Sequence, residues 1–150
     1  MENRDSRKKA KMTKIIRFGV SLESTLLDKF DRLNQQSGHK NRSEALRNLI
    51  REKLVAEEWR DSELETVGVF SMVYNHHSRE LDKTLTDLQH RHLKVIVSST
   101  HIHIDEHNCL EVIILKGKAD AIKKIANGIA GTRGVKHGKL IMTSTGSNLD

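Results

Sequence analysis

The sequence predicts an α+β chain in two parts: an N-terminal strand-helix-helix unit, then a unit of order β-α-β-β-α-β, the split βαβ or ferredoxin-like arrangement. Three observations carry this. Apolar residues alternate over residues 15–22 and then recur twice at helical spacing before residue 55. Beyond residue 65, alternating and helical stretches follow one another in the ferredoxin-like order. Charge and histidine are also segregated. Residues 1–60 hold 15 Lys and Arg against 9 Asp and Glu, residues 61–150 hold 11 of each, and eight of the nine histidines lie at or beyond position 76. A basic part suited to phosphate is thus joined to a neutral part rich in imidazole.

Composition bounds the answer. With 150 residues, 36% hydrophobic, 31% charged and only one Trp, one Tyr and three Phe, the core is modest and aliphatic, and oligomerisation is expected. No apolar run approaches the roughly 18 residues of a membrane span, and the polar, basic start is no signal peptide. A soluble, cytoplasmic protein with no membrane association is the expectation. The single cysteine, Cys109, has no partner for an intramolecular disulfide.

Residues 1–14 form a basic arm with almost nothing to bury, in which Lys8, Lys9 and Lys11 can meet phosphates. In residues 15–22, Ile16, Phe18, Val20 and Leu22 alternate with Arg17, Gly19 and Ser21, the pattern of a half-buried strand. Leu26, Leu27, Phe30 and Leu33 predict a helix over about 22–37, ended by Gly38. Asn41-Arg42-Ser43-Glu44 fits a capping box, and Ala45, Leu46, Leu49, Ile50 and Leu54 form the stripe of a second helix. Such a unit is too small to hide its own apolar faces. An intertwined dimer solves this, with two copies of the strand paired as an antiparallel ribbon that enters the DNA major groove.

Residues 17–22, the helix around Leu26 to Leu33, and Asn41-Arg42-Ser43-Glu44-Ala45-Leu46-Arg47 resemble a ribbon-helix-helix DNA-binding domain. The resemblance implies that Arg17, Gly19 and Ser21 face the bases and that Asn41, Arg42 and Ser43 contact phosphate. Gly19 departs from the polar residue usual at the middle position.

Residues 58–65 carry several acidic side chains, break the apolar period and read as a linker between a first domain at 15–57 and a second at 66–146. The second part reads as strand 66–74, helix 79–91, strands 94–104 and 109–116, helix 119–130 and strand 135–143, with turns at Asp105-Glu106-His107-Asn108, Gly117 and Gly131-Thr132-Arg133-Gly134.

On the first strand of the central pair, His101 and His103 are two residues apart and share a face, while Ile102 and Ile104 take the other. After a short turn, Cys109 can lie beside them on the adjacent strand, and His90, at the end of the preceding helix, could supply a fourth donor. A lone strand histidine is usually solvated and a free cysteine usually a small buried hydrophobe. The only cysteine beside two alternating histidines points instead to a transition metal. Three nitrogens and a thiolate suit Zn(II) in a tetrahedron or Ni(II) or Cu(II) in a plane, and the residues alone do not choose.

Gln89-His90, His101-Ile102-His103, Cys109-Leu110-Glu111, Leu115-Lys116-Gly117 and residues 133–138 resemble the nickel-responsive transcriptional regulators, the NikR family, over about residues 15–143. The resemblance implies an ACT-like C-terminal domain and one Ni(II) per subunit, held in a square plane by His101, His103 and Cys109 of one subunit and His90 of another. It also implies a homotetramer, built as a dimer of dimers, on a palindromic operator. Glu111 shares a face with Cys109 and Gln89 adjoins His90, so both can orient ligands. His76, His77, His92 and His107 remain as candidates for weaker sites, although paired histidines at a strand end are more often solvated.

The resemblance implies a nickel-dependent regulator, most simply a repressor of nickel uptake genes. A metalloenzyme lacks support, with no HExxH and no general base beside an open site. A nickel carrier would leave the ribbon unexplained, and a repressor sensing a small molecule would leave Cys109 and its histidines idle.

Overall fold

The computed structural model describes residues 14–75, 77 and 79–149. Most of the basic arm, with Lys8, Lys9 and Lys11, and His76 of the weaker-site candidates therefore lie outside the described residues. Two compact units are present, one ending at Ala45 and one running from Leu46 to Leu149.

In the first unit, residues 14–23 pair with no strand. This differs from the expected strand at 15–22, for a physical reason: a strand needs a hydrogen-bonding neighbour, and no described segment of this chain supplies one. Its apolar residues stand in the open, Ile15 at 88% and Phe18 at 68% exposure. Helix α1 (Ser24–Gln36) starts two residues later than the periodicity suggests, because Glu23 is extended at φ −63°, ψ 144°. Its carbonyl still accepts from the amides of Leu26 and Leu27. The helix ends as expected at Gly38, whose φ of 72° favours glycine, with the His39 amide returning to the Asn34 carbonyl.

Helix α2 (Arg42–Glu58) begins in this unit. Asn41 Oδ1 accepts from the Glu44 amide at 2.9 Å, satisfying one of the donors that a helix start leaves open. Asn41→Ala is expected to cost about 0.5–2 kcal/mol and Asn41→Ser little, read as a shift in the denaturant midpoint of the metal-free chain. Leu26, Leu33 and Leu49 along these helices are 49–60% exposed, so the apolar stripes are left largely uncovered by the described residues.

The second unit is a four-stranded antiparallel sheet, order β2-β3-β1-β4, from β1 (Glu65–Asn75), β2 (Ile96–His103), β3 (Asn108–Lys118) and β4 (Val135–Thr143). Helices α3 (Arg79–Arg91) and α4 (Ala119–Ala130) complete the ferredoxin-like order. Strict alternation on β1 buries Thr66, Gly68, Phe70, Met72 and Tyr74. These face Leu81 and Leu85 of α3 and Ile122, Ile125 and Ile129 of α4, whose spacing forms one apolar stripe. Gly138 lets β4 pass the core ring, since a Cβ there would lie 2.7 Å from Phe70. On the other side of the sheet, Ile102, Ile114 and Ile141 keep 39–53% of their surface exposed.

The start of the expected linker is built into this core. Trp59 directly follows α2, is 2% exposed, and donates its indole N–H to the Thr143 carbonyl at 2.7 Å. Lys123 of α4 donates to the Trp59 carbonyl at 2.6 Å. An aromatic ring among acidic neighbours contributes little to a periodicity, yet it is the largest apolar group in the segment and finds cover against the sheet. Among the described residues no helix is long and apolar enough to cross a membrane.

Candidate metal centre and nucleic-acid interface

Strand β2 forms one edge of the sheet, and its register against β3 sets His103 opposite Cys109 and His101 opposite Glu111. Cys109 and Glu111 are buried on the helix-covered face, so both histidines lie on that face and Ile102 on the other. The ligand atoms of His101, His103 and Cys109 all lie within 4.8 Å of one another, and no other such group of three occurs among the described residues. Metal–nitrogen and metal–sulfur bonds of about 2.0–2.3 Å put ligand atoms around one ion about 3–4.5 Å apart, so small side-chain rotations close the set. Two imidazoles and a buried thiol form a nitrogen and sulfur donor set that fits a borderline transition metal and suits neither Mg(II) nor Ca(II).

The surroundings hold these donors in place. His103 Nδ1 and Cys109 Sγ are 3.2 Å apart, and the His101 and His103 rings meet at 4.8 Å and 61°. Tyr74, buried opposite Cys109 on β1, sets its hydroxyl 3.1 Å from His101 Nδ1, which leaves Nε2 as the other ring nitrogen. Gln89 donates to Glu111 Oε1 and accepts from Ser99 Oγ at 3.4 Å, tying the end of α3 to both strands. His90 follows on the last turn of α3, exposed and apart from the group of three.

The turn after β2 is fixed by Asp105. Its carboxylate accepts from the amides of His107 and Asn108 and from the Asn108 side chain, which holds its pKa down at about 2. This local contribution to stability is in force above the ordinary carboxylate range and is lost as pH falls through about 2. Of the remaining histidines, His77 places Nε2 2.9 Å from the Glu106 carbonyl and its ring 5.3 Å from that of His107. His92 is half-buried beside the end of α3 and closes a turn through its amide.

Arg17, Gly19 and Ser21 are all exposed on the segment before α1. Asn41 and Ser43 are exposed at the start of α2, where Asn41 is engaged as the cap. Arg42 has a further partner that the sequence reading did not anticipate. Its guanidinium grips Asp31 of α1 in a two-pronged pair, Nε to Oδ1 at 2.8 Å and Nη2 to Oδ2 at 2.6 Å. An aspartate eleven residues earlier gives no local signal. Only the turn between the helices brings the two together.

The family model described as the NikR C terminal nickel binding domain matches residues 67–143, and that described as ribbon-helix-helix protein, copG family, matches residues 16–57. A protein of Caldanaerobacter subterraneus subsp. tengcongensis is 55% identical over 135 residues, 90% of this chain and 88% of its own. One of Geobacter metallireducens is 54% identical over 138 residues, 92% of this chain and 99% of its own. One of Thermococcus kodakarensis is 53% identical over 136 residues, with 91% and 99% covered. All three carry the name "Putative nickel-responsive regulator".

Proposed function

Because the chain belongs to the family of nickel-responsive regulators, with a ribbon-helix-helix region and a NikR C-terminal region, we propose that its Ni(II) is held by His101, His103 and Cys109 of one subunit together with His90 of the partner subunit, one ion per subunit. The protein is a DNA-binding transcription regulator and not an enzyme. It works as an oligomer with nickel as its metal.

One observation carries the site assignment: the only thiol of the chain and two imidazoles converge within 4.8 Å at a sheet edge. Bound there, nickel supplies a link between donors of two chains. Gln89 and Glu111 orient the surroundings from α3 and β3, and Tyr74 fixes the ring of His101. An exposed His90 at the end of a helix is free to serve a neighbouring sheet edge. Four chains then form a dimer of dimers in the cytoplasm, in which paired segments 15–22 bring Arg17, Gly19 and Ser21 to the bases of a palindromic operator. Repression of nickel uptake genes follows when nickel is plentiful. By linkage, operator DNA tightens nickel binding by the factor by which nickel tightens operator binding.

The test is selection of bound sequences from a pool of random duplexes by the full chain, carried out without metal and with Ni(II), Zn(II) or Cu(II). A single two-fold-symmetric sequence is expected to emerge with Ni(II) and to be absent without metal. Equal enrichment with and without metal would remove nickel from the control of DNA binding.

A further inference from the structure

We infer that Asp31 is a built-in competitor for DNA phosphate at Arg42, and that it holds down the sequence-independent DNA affinity of the chain. The inference rests on the DNA-binding reading above and adds to it a residue that sets affinity.

The geometry is that of a closed site. Arg42 is the first residue of α2, beside the Asn41 cap, where amide donors and the positive end of the helix favour an anion. A planar guanidinium offers five N–H donors, and the fork it would turn to a phosphate is filled by both oxygens of Asp31. Each partner holds the other charged: the hydrogen bond to Arg42 lowers the Asp31 pKa, and that to Asp31 raises the Arg42 pKa. The guanidinium side chain is 61% exposed and the carboxylate 33%. An exposed pair of this kind contributes little to stability, because water and salt screen it. Its larger consequence concerns a third charge. A phosphate approaching this corner meets a neutralised arginine and a fixed carboxylate, and gains the arginine only by displacing Asp31.

The residues around it sharpen the point. Residues 1–60 carry a surplus of six positive charges, and such a surface binds any duplex by releasing counterions. A regulator whose DNA binding depends on metal gains from keeping part of that attraction masked. Asp31 masks it at the corner that the ribbon-helix-helix resemblance assigns to phosphate.

Removing the carboxylate tests this. Full-length wild type, Asp31→Asn, Arg42→Ala and the double variant are titrated, without metal, onto a random-sequence duplex across a range of salt. Asp31→Asn is expected to bind more tightly, with a salt slope steeper by about 0.9 for each phosphate gained. Its advantage over wild type should then grow about 3.5-fold per contact as salt falls from about 200 to about 50 mM. Arg42→Ala should erase the gain in Asp31→Asn, so that the double variant binds like Arg42→Ala alone, a non-additive cycle.

Unchanged or weaker binding by Asp31→Asn would overturn the inference, the weaker result assigning Asp31 to holding Arg42 in a phosphate-binding pose. Asp31→Ser removes the same carboxylate and repeats the measurement should Asp31→Asn fail to fold. The metal-free format separates the two readings: loss of nickel-dependent selection in wild type strikes the regulator assignment and leaves the behaviour of Asp31 measurable.

Discussion

Replacement of Cys109 by alanine is expected to abolish the sulfur-to-nickel charge-transfer absorption of the nickel-loaded protein. It should also weaken Ni(II) binding by more than the roughly 10–100-fold that loss of an orienting residue costs. The thiol is buried at 0% exposure beside His103 Nδ1, on the strand next to the edge. Alanine removes the only thiol of the chain and leaves the packing of β3 against β1 nearly unchanged. Absorption spectra during a Ni(II) titration, with competition against a chelator, give both readouts. Mixing Cys109→Ala with His90→Ala chains should restore a share of intact sites, because on the proposed assignment the two deficits fall on different subunits of one site. An unchanged spectrum in Cys109→Ala would exclude the thiol as a ligand, and failure of proven mixed oligomers to recover would place the site within one chain.

The grouping of His101, His103 and Cys109 was legible in the sequence because strand chemistry is local. A period of two puts His101 and His103 on one face, and a four-residue turn held by Asp105 returns the chain so that Cys109 meets His103 across the ladder. The ferredoxin-like order was legible for the same reason, down to the bounds of α3, α4 and β4. The hydroxyl of Tyr74 at His101 and the grip of Asp31 on Arg42 escaped, since each joins residues on different elements that only tertiary packing brings together. A strand at residues 15–22 is written in alternation, but no described segment of the chain pairs with it. One chain therefore shows the pattern without the strand.

Trp59 is where local reading and packing diverge most, and its replacement should have the largest effect on stability. Glu57, Glu58, Asp61 and Glu63 surround it in sequence and suggest a solvated connector. The ring is instead packed into the core cluster, where an added Cβ on Gly68 would come within 3.2 Å of it. Trp59→Ala empties that space and strands the Thr143 carbonyl, at an expected cost of about 3–5 kcal/mol. Trp59→Phe keeps most of the ring and loses the indole donor, so its cost should be about 1–3 kcal/mol, that of an acceptor left without its partner. Lys123, whose ammonium lies 5.9 Å from the indole centroid and bonds to the residue's own carbonyl, keeps the backbone bond in both variants. The variants lose the chain's only tryptophan, so unfolding is followed by far-ultraviolet circular dichroism in urea. Metal-free protein is used because nickel that binds only the folded state would raise every midpoint. A cost below about 1 kcal/mol for Trp59→Ala would return residue 59 to the connector, with the core of the C-terminal unit ending at β1.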